Sequence, residues 1–150
     1  MPGFIKRYFE NMSIPFHLAF SVKNIEETKK FYVDVLGCTI TKATDHWLNI
    51  NFFGHQLSIH ENPQMEDEQK TITVEGKDVP LNHFGVILKK SDWDDMARKL
   101  KKAKVKFIIE PKLKHEKQVC EQAIMFLKDP SGNGIEFKCF TDPKHIFSNC

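Results

Sequence analysis

The residues with the clearest chemical capacity are two histidines and one glutamate, each within a segment that alternates like a β-strand. His17 lies in PFHLAFSV and His83 lies in LNHFGVIL. Glu136 lies in GIEFKCF, between two apolar neighbours. Neutral imidazoles bind divalent metals or transfer protons, and a carboxylate is costly to bury unless it is paired or bound to a cation. These three residues are the first candidates for a metal or acid–base site.

The elements around these residues occur twice in the same order. The strand with His17 precedes NIEETKKFYVDVLG, a predicted helix with Asn24 as its N-cap, and then three short strand candidates, CTITKA, HWLNINF and HQLSIH. The strand with His83 precedes the predicted helix SDWDDMARKLKKA, capped by Ser91, and then VKFIIE, EQAIMFL and GIEFKCF. The chain therefore repeats a βαβββ pattern, in which the two histidines occupy equivalent positions.

This repeat predicts an α+β fold in which two βαβββ modules pair into a curved mixed sheet that forms a cup. We predict a single domain over residues 1–150, with module one at about 14–61 and module two at about 81–141. The polar segment at about 62–80 is the expected linker, with a short TITV strand. Apolar residues at helical spacing within 4–12 predict a short docking helix.

Strand alternation places polar side chains on one face of each predicted sheet, opposite an apolar row that faces the helix. A polar row against an apolar row on four separate strands indicates a wet, concave site. The residues assigned to this face are His17, Ala19, Ser21, Trp47, Asn49, Asn51, Gln56, Ser58, His60, Glu136 and Lys138.

Composition excludes several other classes of protein. The formal net charge is only +2, and the lysine-rich stretches at 99–106 and 112–117 lack a nucleic-acid motif, so we expect solvated surface and no nucleic-acid partner. No apolar run is long enough to cross a bilayer, so no membrane association is expected. The four cysteines are far apart with no CxxC pair, which argues against a zinc ribbon or a disulfide-rich secreted scaffold and predicts a cytoplasmic protein.

The segment FHLAFSV, a helix ending in FYVDVLG, and the later HFGVIL and FLKDPSGNGIEFK together resemble the vicinal oxygen chelate superfamily. That superfamily contains glyoxalases, bleomycin-resistance proteins and ring-cleaving dioxygenases. The resemblance covers roughly residues 14–141 and implies a divalent metal in the cup, bound by a small substrate through adjacent oxygens. Carried over position by position, it implies His17, His83 and Glu136 as metal ligands. The fourth position, a carboxylate in glyoxalase I, falls on Ser58.

Two histidines and one carboxylate leave coordination positions open, which suits Fe(II), with Mn(II), Zn(II) or Ni(II) as alternatives. The serine at the fourth position favours a dioxygenase-like oxidoreductase. His60 is a candidate acid–base group or a surface residue, and Gln122 is a candidate substrate donor or a strand-edge residue. Lys138 is a candidate counter-charge for an anionic substrate or a solvated rim charge.

Two other functions stay open at this point. A glyoxalase-I-like lyase needs another base, such as Glu61 or Glu121. A non-catalytic drug-binding protein needs no metal ligands. The resemblance also leaves open whether the two modules share a cup within one chain or exchange across a homodimer.

Overall fold

The computed structural model describes residues 14–66 and 69–149, so the predicted docking helix within residues 4–12 lies outside the described residues. Module one contains β1 (His17–Val22), α1 (Ile25–Lys29), a π-helical continuation (Lys30–Val35), β2 (Thr39–Ala43), β3 (Trp47–Phe52) and β4 (His55–Glu61). A hairpin follows, made of β5 (Thr71–Val74) and β6 (Lys77–Pro80). Module two contains β7 (His83–Ile87), α2 (Lys90–Lys102), β8 (Phe107–Lys114), β9 (Gln122–Lys128), β10 (Gly134–Phe140) and a 3₁₀ turn (Pro143–His145).

The two modules form matching four-stranded sheets. Their strand orders are β1-β4-β3-β2 and β7-β10-β9-β8. In each sheet the first pair of strands is parallel and the other pairs are antiparallel. The α+β class and the repeated βαβββ order are therefore confirmed. The expected linker is more structured than predicted, because the TITV strand pairs with β6 in a hairpin of its own.

The two helices differ in how their N-termini are capped: a side chain caps α1, whereas tertiary packing anchors the first turn of α2. Asn24 caps α1 as predicted, since its side-chain oxygen accepts a hydrogen bond from the Glu27 backbone at 2.9 Å. The prediction of Ser91 as the cap of α2 is wrong. That helix begins at Lys90, so its N-cap position is Lys89, two residues before Ser91. It has no side-chain cap, and Trp93 N donates to Lys89 O. The indole N–H of Trp93 also donates to the Phe137 carbonyl at 3.1 Å, which anchors the first turn on β10.

The apolar faces of the two sheets meet in one shared core. The Phe52 ring in β3 lies 5.5 Å from the Phe84 ring and 6.4 Å from the Phe137 ring, both in the second sheet. Phe20 in β1 also contacts Phe84, at 5.2 Å between ring centroids. Buried residues of α1 and α2 complete the same core. Burial of these large rings is the main favourable contribution to packing the modules together.

The packing of the two sheets determines where the polar faces of the predicted cup lie. Among the described residues, the strand pairings keep the two sheets separate and do not join them into one continuous curved sheet. Since the apolar rows of both sheets and the two helices form the shared core, the polar row of each sheet lies on the side away from that core. The chain thus presents two polar sheet faces, one from each module.

Polar contacts around the turn Asp129–Asn133 also connect the modules. The Tyr32 hydroxyl of module one donates to Asp129 Oδ2 at 3.1 Å, and Asn133 Nδ2 donates to Ser21 O at 3.0 Å. Burial is the main cause that raises the pKa values of both Tyr32 and Asp129. Backbone N–H groups of Ser131 and Asn133 donate to Asp129 Oδ1, so this buried carboxylate is well supplied with donors.

The cysteines fall into two kinds. Cys38 and Cys139 are buried free thiols, and burial raises the pKa of Cys38 to about 11. Cys120 is disulfide-bonded. Because disulfides are uncommon in reducing compartments, the cytoplasmic location stays a prediction. Within the described part of the chain, no helix is both long and apolar enough to span a membrane.

Candidate metal centre

His83 and Glu136 lie side by side on the polar face of the second sheet. Their strands, β7 and β10, are parallel neighbours in which His83 lies opposite Gly134 and Glu136 lies opposite Gly85. His83 Nε2 and Glu136 Oε2 are 3.5 Å apart. The Glu136 side chain is only 12% exposed, so its charge is largely removed from water and needs a partner.

The hydrogen bond at Nδ1 of His83 determines which ring nitrogen faces Glu136. His83 Nδ1 lies 2.8 Å from the Pro80 carbonyl oxygen. A carbonyl oxygen only accepts, so Nδ1 carries a hydrogen and Nε2 is the ring nitrogen that points toward the carboxylate. Nε2 of the imidazole and Oε2 of the carboxylate therefore face each other at 3.5 Å. A divalent cation bound to both fits this arrangement, since metal bonds to nitrogen or oxygen of about 2.0–2.2 Å keep two ligands near this separation.

A groove of about 270 Å³ opens beside this pair, lined by His83, Phe84, Gly85, Val86, Ile87, Glu136 and Lys138. Lys138 Nζ lies 3.8 Å from Glu136 Oε2 and is 38% exposed. The ammonium group therefore borders the groove, within reach of an anionic molecule bound there. At the start of β7 a second cavity, of about 500 Å³, also includes His83 in its lining.

His17 lies on the polar face of the first sheet with a similar hydrogen-bonding arrangement. Its Nδ1 is 2.8 Å from the side-chain oxygen of Gln56, which lies opposite it on β4. Because that oxygen accepts, Nδ1 donates and Nε2 remains available as a ligand. Both candidate histidines thus have an Nδ1 partner, as metal-binding histidines usually do.

The register of the strands locates the fourth ligand position. Ser58 lies opposite Ala19, two residues beyond His17, just as Glu136 lies opposite Gly85, two residues beyond His83. Ser58 is buried, and its hydroxyl donates to Asn49 Oδ1 at 2.6 Å. The position equivalent to Glu136 in module one therefore holds a hydrogen-bonded hydroxyl and no carboxylate.

The structure brings together only part of the predicted ligand set. His83 and Glu136 are adjacent, whereas His17 belongs to the other sheet. Within residues 14–66 and 69–149, no three His, Cys, Asp or Glu side chains lie where they could hold one metal ion. A single chain thus provides two partial ligand sets, one on each polar face.

The remaining predicted site residues lie farther from the two histidines. His60 is exposed and packs against Trp47, with ring centroids 6.2 Å apart. It lies four residues beyond Gln56 on β4, a distance of roughly 13 Å along a strand. Gln122 lies opposite Phe140 on β10 and is buried, and its Oε1 has no hydrogen-bond partner among the described residues.

The two glutamates considered as alternative bases are occupied elsewhere. Glu61 accepts hydrogen bonds from the Ile25 backbone and from His46, and the bond from His46 is the main cause that lowers its pKa. Glu121 accepts from the Lys117 backbone and the Thr141 hydroxyl, and these bonds lower its pKa in the same order. Both carboxylates act as caps for nearby backbone groups.

Sequence reasoning missed two features of this site. The Pro80 carbonyl, which selects the ring tautomer of His83, carries no signal of its own in a sequence. Gly85 does carry one, because a glycine inside a predicted strand indicates close backbone approach. An added Cβ at Gly85 would lie 1.6 Å from the Glu136 carbonyl oxygen, so the glycine allows β7 to approach β10 next to the candidate ligand.

Comparison with known proteins places these features in context. The family profile of the Glyoxalase/Bleomycin resistance protein/Dioxygenase superfamily matches residues 14–137. A search of curated proteins by sequence gave no match.

Several solved structures share the fold. A glyoxalase/bleomycin resistance protein/dioxygenase from Alicyclobacillus acidocaldarius is 27% identical, with a TM-score of 0.78 over 93% of this chain and 100% of that one. A glyoxalase/dioxygenase from Nostoc punctiforme is 16% identical, with a TM-score of 0.63 over 88% and 94% of the two chains. The fosfomycin resistance protein FosX from Listeria monocytogenes is 14% identical, with a TM-score of 0.60 over 87% and 95%.

Proposed function

The chain belongs to the Glyoxalase/Bleomycin resistance protein/Dioxygenase superfamily, and from this membership we propose that it is a metal-dependent, dioxygenase-like enzyme. Its substrate is a small molecule that chelates the metal through two vicinal oxygens. The observation that carries the proposal is the pair formed by His83 and Glu136, whose Nε2 and Oε2 atoms face each other at 3.5 Å. The Pro80 carbonyl fixes the tautomer that makes this nitrogen a ligand.

The third ligand in this proposal is His17 of a second copy of the chain. The strands that carry the two histidines, β1 and β7, are edge strands of their sheets, with no further strand paired to their outer sides among residues 14–66 and 69–149. Unpaired edges favour association with another strand. Exposed apolar residues lie on or beside both edges: Ile14 at 71%, Phe16 at 59%, Leu81 at 46% and Ile87 at 47%. Two-fold pairing of β1 with the partner's β7 creates two equivalent cups, each with two histidines and one glutamate.

The number of carboxylates favours a dioxygenase over a glyoxalase-like lyase. Ser58 occupies the fourth position and its hydroxyl is committed to Asn49. Glu61 and Glu121, the two glutamates considered as alternative bases, are committed to capping backbone groups. Two histidines and one carboxylate leave open positions that suit Fe(II), with Mn(II), Zn(II) or Ni(II) as alternatives.

The protein's own groups have distinct roles in this proposal. When bound, the metal supplies Lewis acidity and a meeting point for substrate oxygens and O₂. Lys138, on the rim of the groove, balances the charge of an anionic substrate. His60 and Trp47, farther along the module-one face, contact the substrate body. Gln122 lies at the other end of the module-two face, where its unpaired oxygen accepts a hydrogen bond from a substrate donor.

Anaerobic loading with Fe(II), followed by O₂-uptake measurements on a panel of catechols, tests the reaction. We expect iron-dependent uptake that Glu136→Gln abolishes, since the variant removes a charged ligand. Iron binding without uptake on any catechol contradicts the dioxygenase assignment. Turnover of methylglyoxal with glutathione by the Ni(II) form identifies a lyase instead. Absence of stoichiometric metal after reloading identifies a non-catalytic binding protein.

A further inference from the structure

The hairpin β5–β6 covers part of the polar face of the second sheet. Val79 in β6 is fully buried and packs with Ile109, Ile124 and Phe126 in a small apolar cluster separate from the main core. Its cross-strand neighbour Ile72 lies on the same face of the hairpin but is 46% exposed, so the hairpin is seated on the sheet through β6 and its β5 edge is open to solvent. The hairpin therefore leaves the groove between β7 and β10 as the open part of this face.

Ion pairs hold the turn of the hairpin at its far end. Lys112 Nζ in β8 lies 2.9 Å from Glu75 Oε2, and Lys114 Nζ lies 3.8 Å from Glu75 Oε1. The turn itself has positive φ values at Glu75 and Gly76, of +50° and +72°. These are the values of a tight hairpin turn that matches the twist of the strands.

The end of the hairpin and the residues beneath it hold the His83 ring on two sides. Pro80, the last residue of β6, accepts the hydrogen bond from His83 Nδ1 at 2.8 Å. The Phe126 ring, buried under Val79, packs edge-to-face against the His83 ring with centroids 4.9 Å apart. One contact selects the tautomer and the other restrains the plane of the ring.

We propose that the β5–β6 hairpin is a positioning element for His83: it holds the ring in the tautomer and orientation that present Nε2 to Glu136. The role in metal binding rests on the proposed function, whereas the control of the tautomer belongs to the metal-free protein. Packing of Val79 keeps β6 seated, and a seated β6 keeps the Pro80 carbonyl within hydrogen-bond distance. Partners of this kind typically change metal affinity by about 10- to 100-fold when lost.

Val79→Ala tests this inference, because it removes buried methyl groups beneath the hairpin without touching His83. Nitrogen-15 NMR of the metal-free protein should show Nδ1–H in the native chain, and a mixture of tautomers in the variant. The dissociation constant for Fe(II) or Zn(II), measured by competition with a chromophoric chelator, should rise about tenfold. Ile72→Ala, at the exposed position opposite Val79 and outside this apolar cluster, should change neither quantity.

Glu75→Ala provides a second route if Val79→Ala does not fold. It removes both lysine contacts at the surface and should shift the tautomer and the metal affinity in the same direction by a smaller factor. A native tautomer and native metal affinity in either folded variant, with faster amide exchange in the hairpin, overturn the inference. Failure of the native chain to bind metal overturns the proposed function alone, since the tautomer measurement still decides whether the hairpin positions His83.

Discussion

Two histidines on different sheets present the same ring nitrogen to their surroundings. His17 donates from Nδ1 to a side-chain amide and His83 donates from Nδ1 to a backbone carbonyl. Each partner is an oxygen that accepts, so each ring leaves Nε2 as the ligand atom. The glutamate beside His83 adds a carboxylate that is largely shielded from water. This donor set, more than any single residue, is what the proposed metal site rests on.

At the residue scale, His83→Ala should abolish stoichiometric metal binding, because the remaining carboxylate and the partner's histidine leave too few ligands. Elemental analysis of the reloaded, dialysed protein measures the change. His115→Asn is the matched control, since His115 has a φ of +56° that asparagine tolerates and takes no part in the proposed site. Unchanged metal content in His83→Ala removes this residue from the site.

At the scale of elements, the contact between β7 and β10 depends on a glycine. Gly85→Ala should destabilise the protein by about 3 kcal/mol or prevent folding, because the new Cβ meets a backbone oxygen that cannot move aside without separating the strands. Urea unfolding provides the measurement. Gly134→Ala, on the facing strand, is the comparison and should cost less, since its nearest contacts are side-chain atoms at 3.0–3.1 Å. Equal costs contradict this account of the strand approach.

Two titratable side chains, Glu61 and His46, hold the start of α1. Glu61 accepts from the Ile25 backbone at the start of α1 and from His46 Nδ1 at 2.7 Å. The hydrogen bond between them is the main cause that raises the pKa of His46 above its ordinary value of 6.5 and lowers the pKa of Glu61 below 4.5. The contribution of protonated His46 to folding stability is complete below pH 6.5 and is lost as pH rises through its raised pKa. The glutamate contribution is present above pH 4.5 and is lost as pH falls through its lowered pKa.

The stability difference between the native chain and His46→Asn should therefore be largest at about pH 5–6 and should shrink on both sides. Urea unfolding midpoints between about pH 3 and pH 9 measure the profile. A difference that stays constant with pH contradicts a contribution from the charged pair.

The polar and apolar rows of individual strands were predictable because side-chain alternation is a local property. Ser58 and Glu136 could be matched from the repeat alone, and the strand registers agree with that match. The start of α2 was predicted less accurately than the strand faces, because the anchoring of Trp93 on β10 depends on tertiary packing. The hairpin partner of TITV was missed for a similar reason, since only the last two residues of β6, Val79 and Pro80, are buried.

At the scale of the whole molecule, the decisive feature is the direction in which each sheet presents its polar face. Sequence alternation identifies both polar faces but does not determine whether two sheets join edge to edge or pack through their apolar faces. In this chain the strand pairings keep the two sheets separate, and phenylalanine contacts join them in one core. In the proposed function, a second copy of the chain brings the two partial sets of candidate ligands together.

Association should depend on the exposed apolar residues beside the edge strands. Phe16→Asp should convert a dimer into a monomer and reduce metal binding with it, because a charge at this 59% exposed position opposes burial at an interface. Light scattering after size-exclusion chromatography gives the mass. Phe147→Asp, at a phenylalanine that is 97% exposed and remote from both edges in sequence, should leave the dimer intact. A native chain that is monomeric with metal bound contradicts the shared site.

Complementation between two variants that each fail to bind metal is the sharpest test of a metal site shared by two chains. His17→Ala and Glu136→Ala should each bind no stoichiometric metal. When the two are unfolded, mixed in equal amounts and refolded, half of the dimers contain one copy of each. Each mixed dimer then has one site with both lesions and one intact site, so about a quarter of the native metal content should return. No recovery in a mixture that contains mixed dimers contradicts a site shared between two chains.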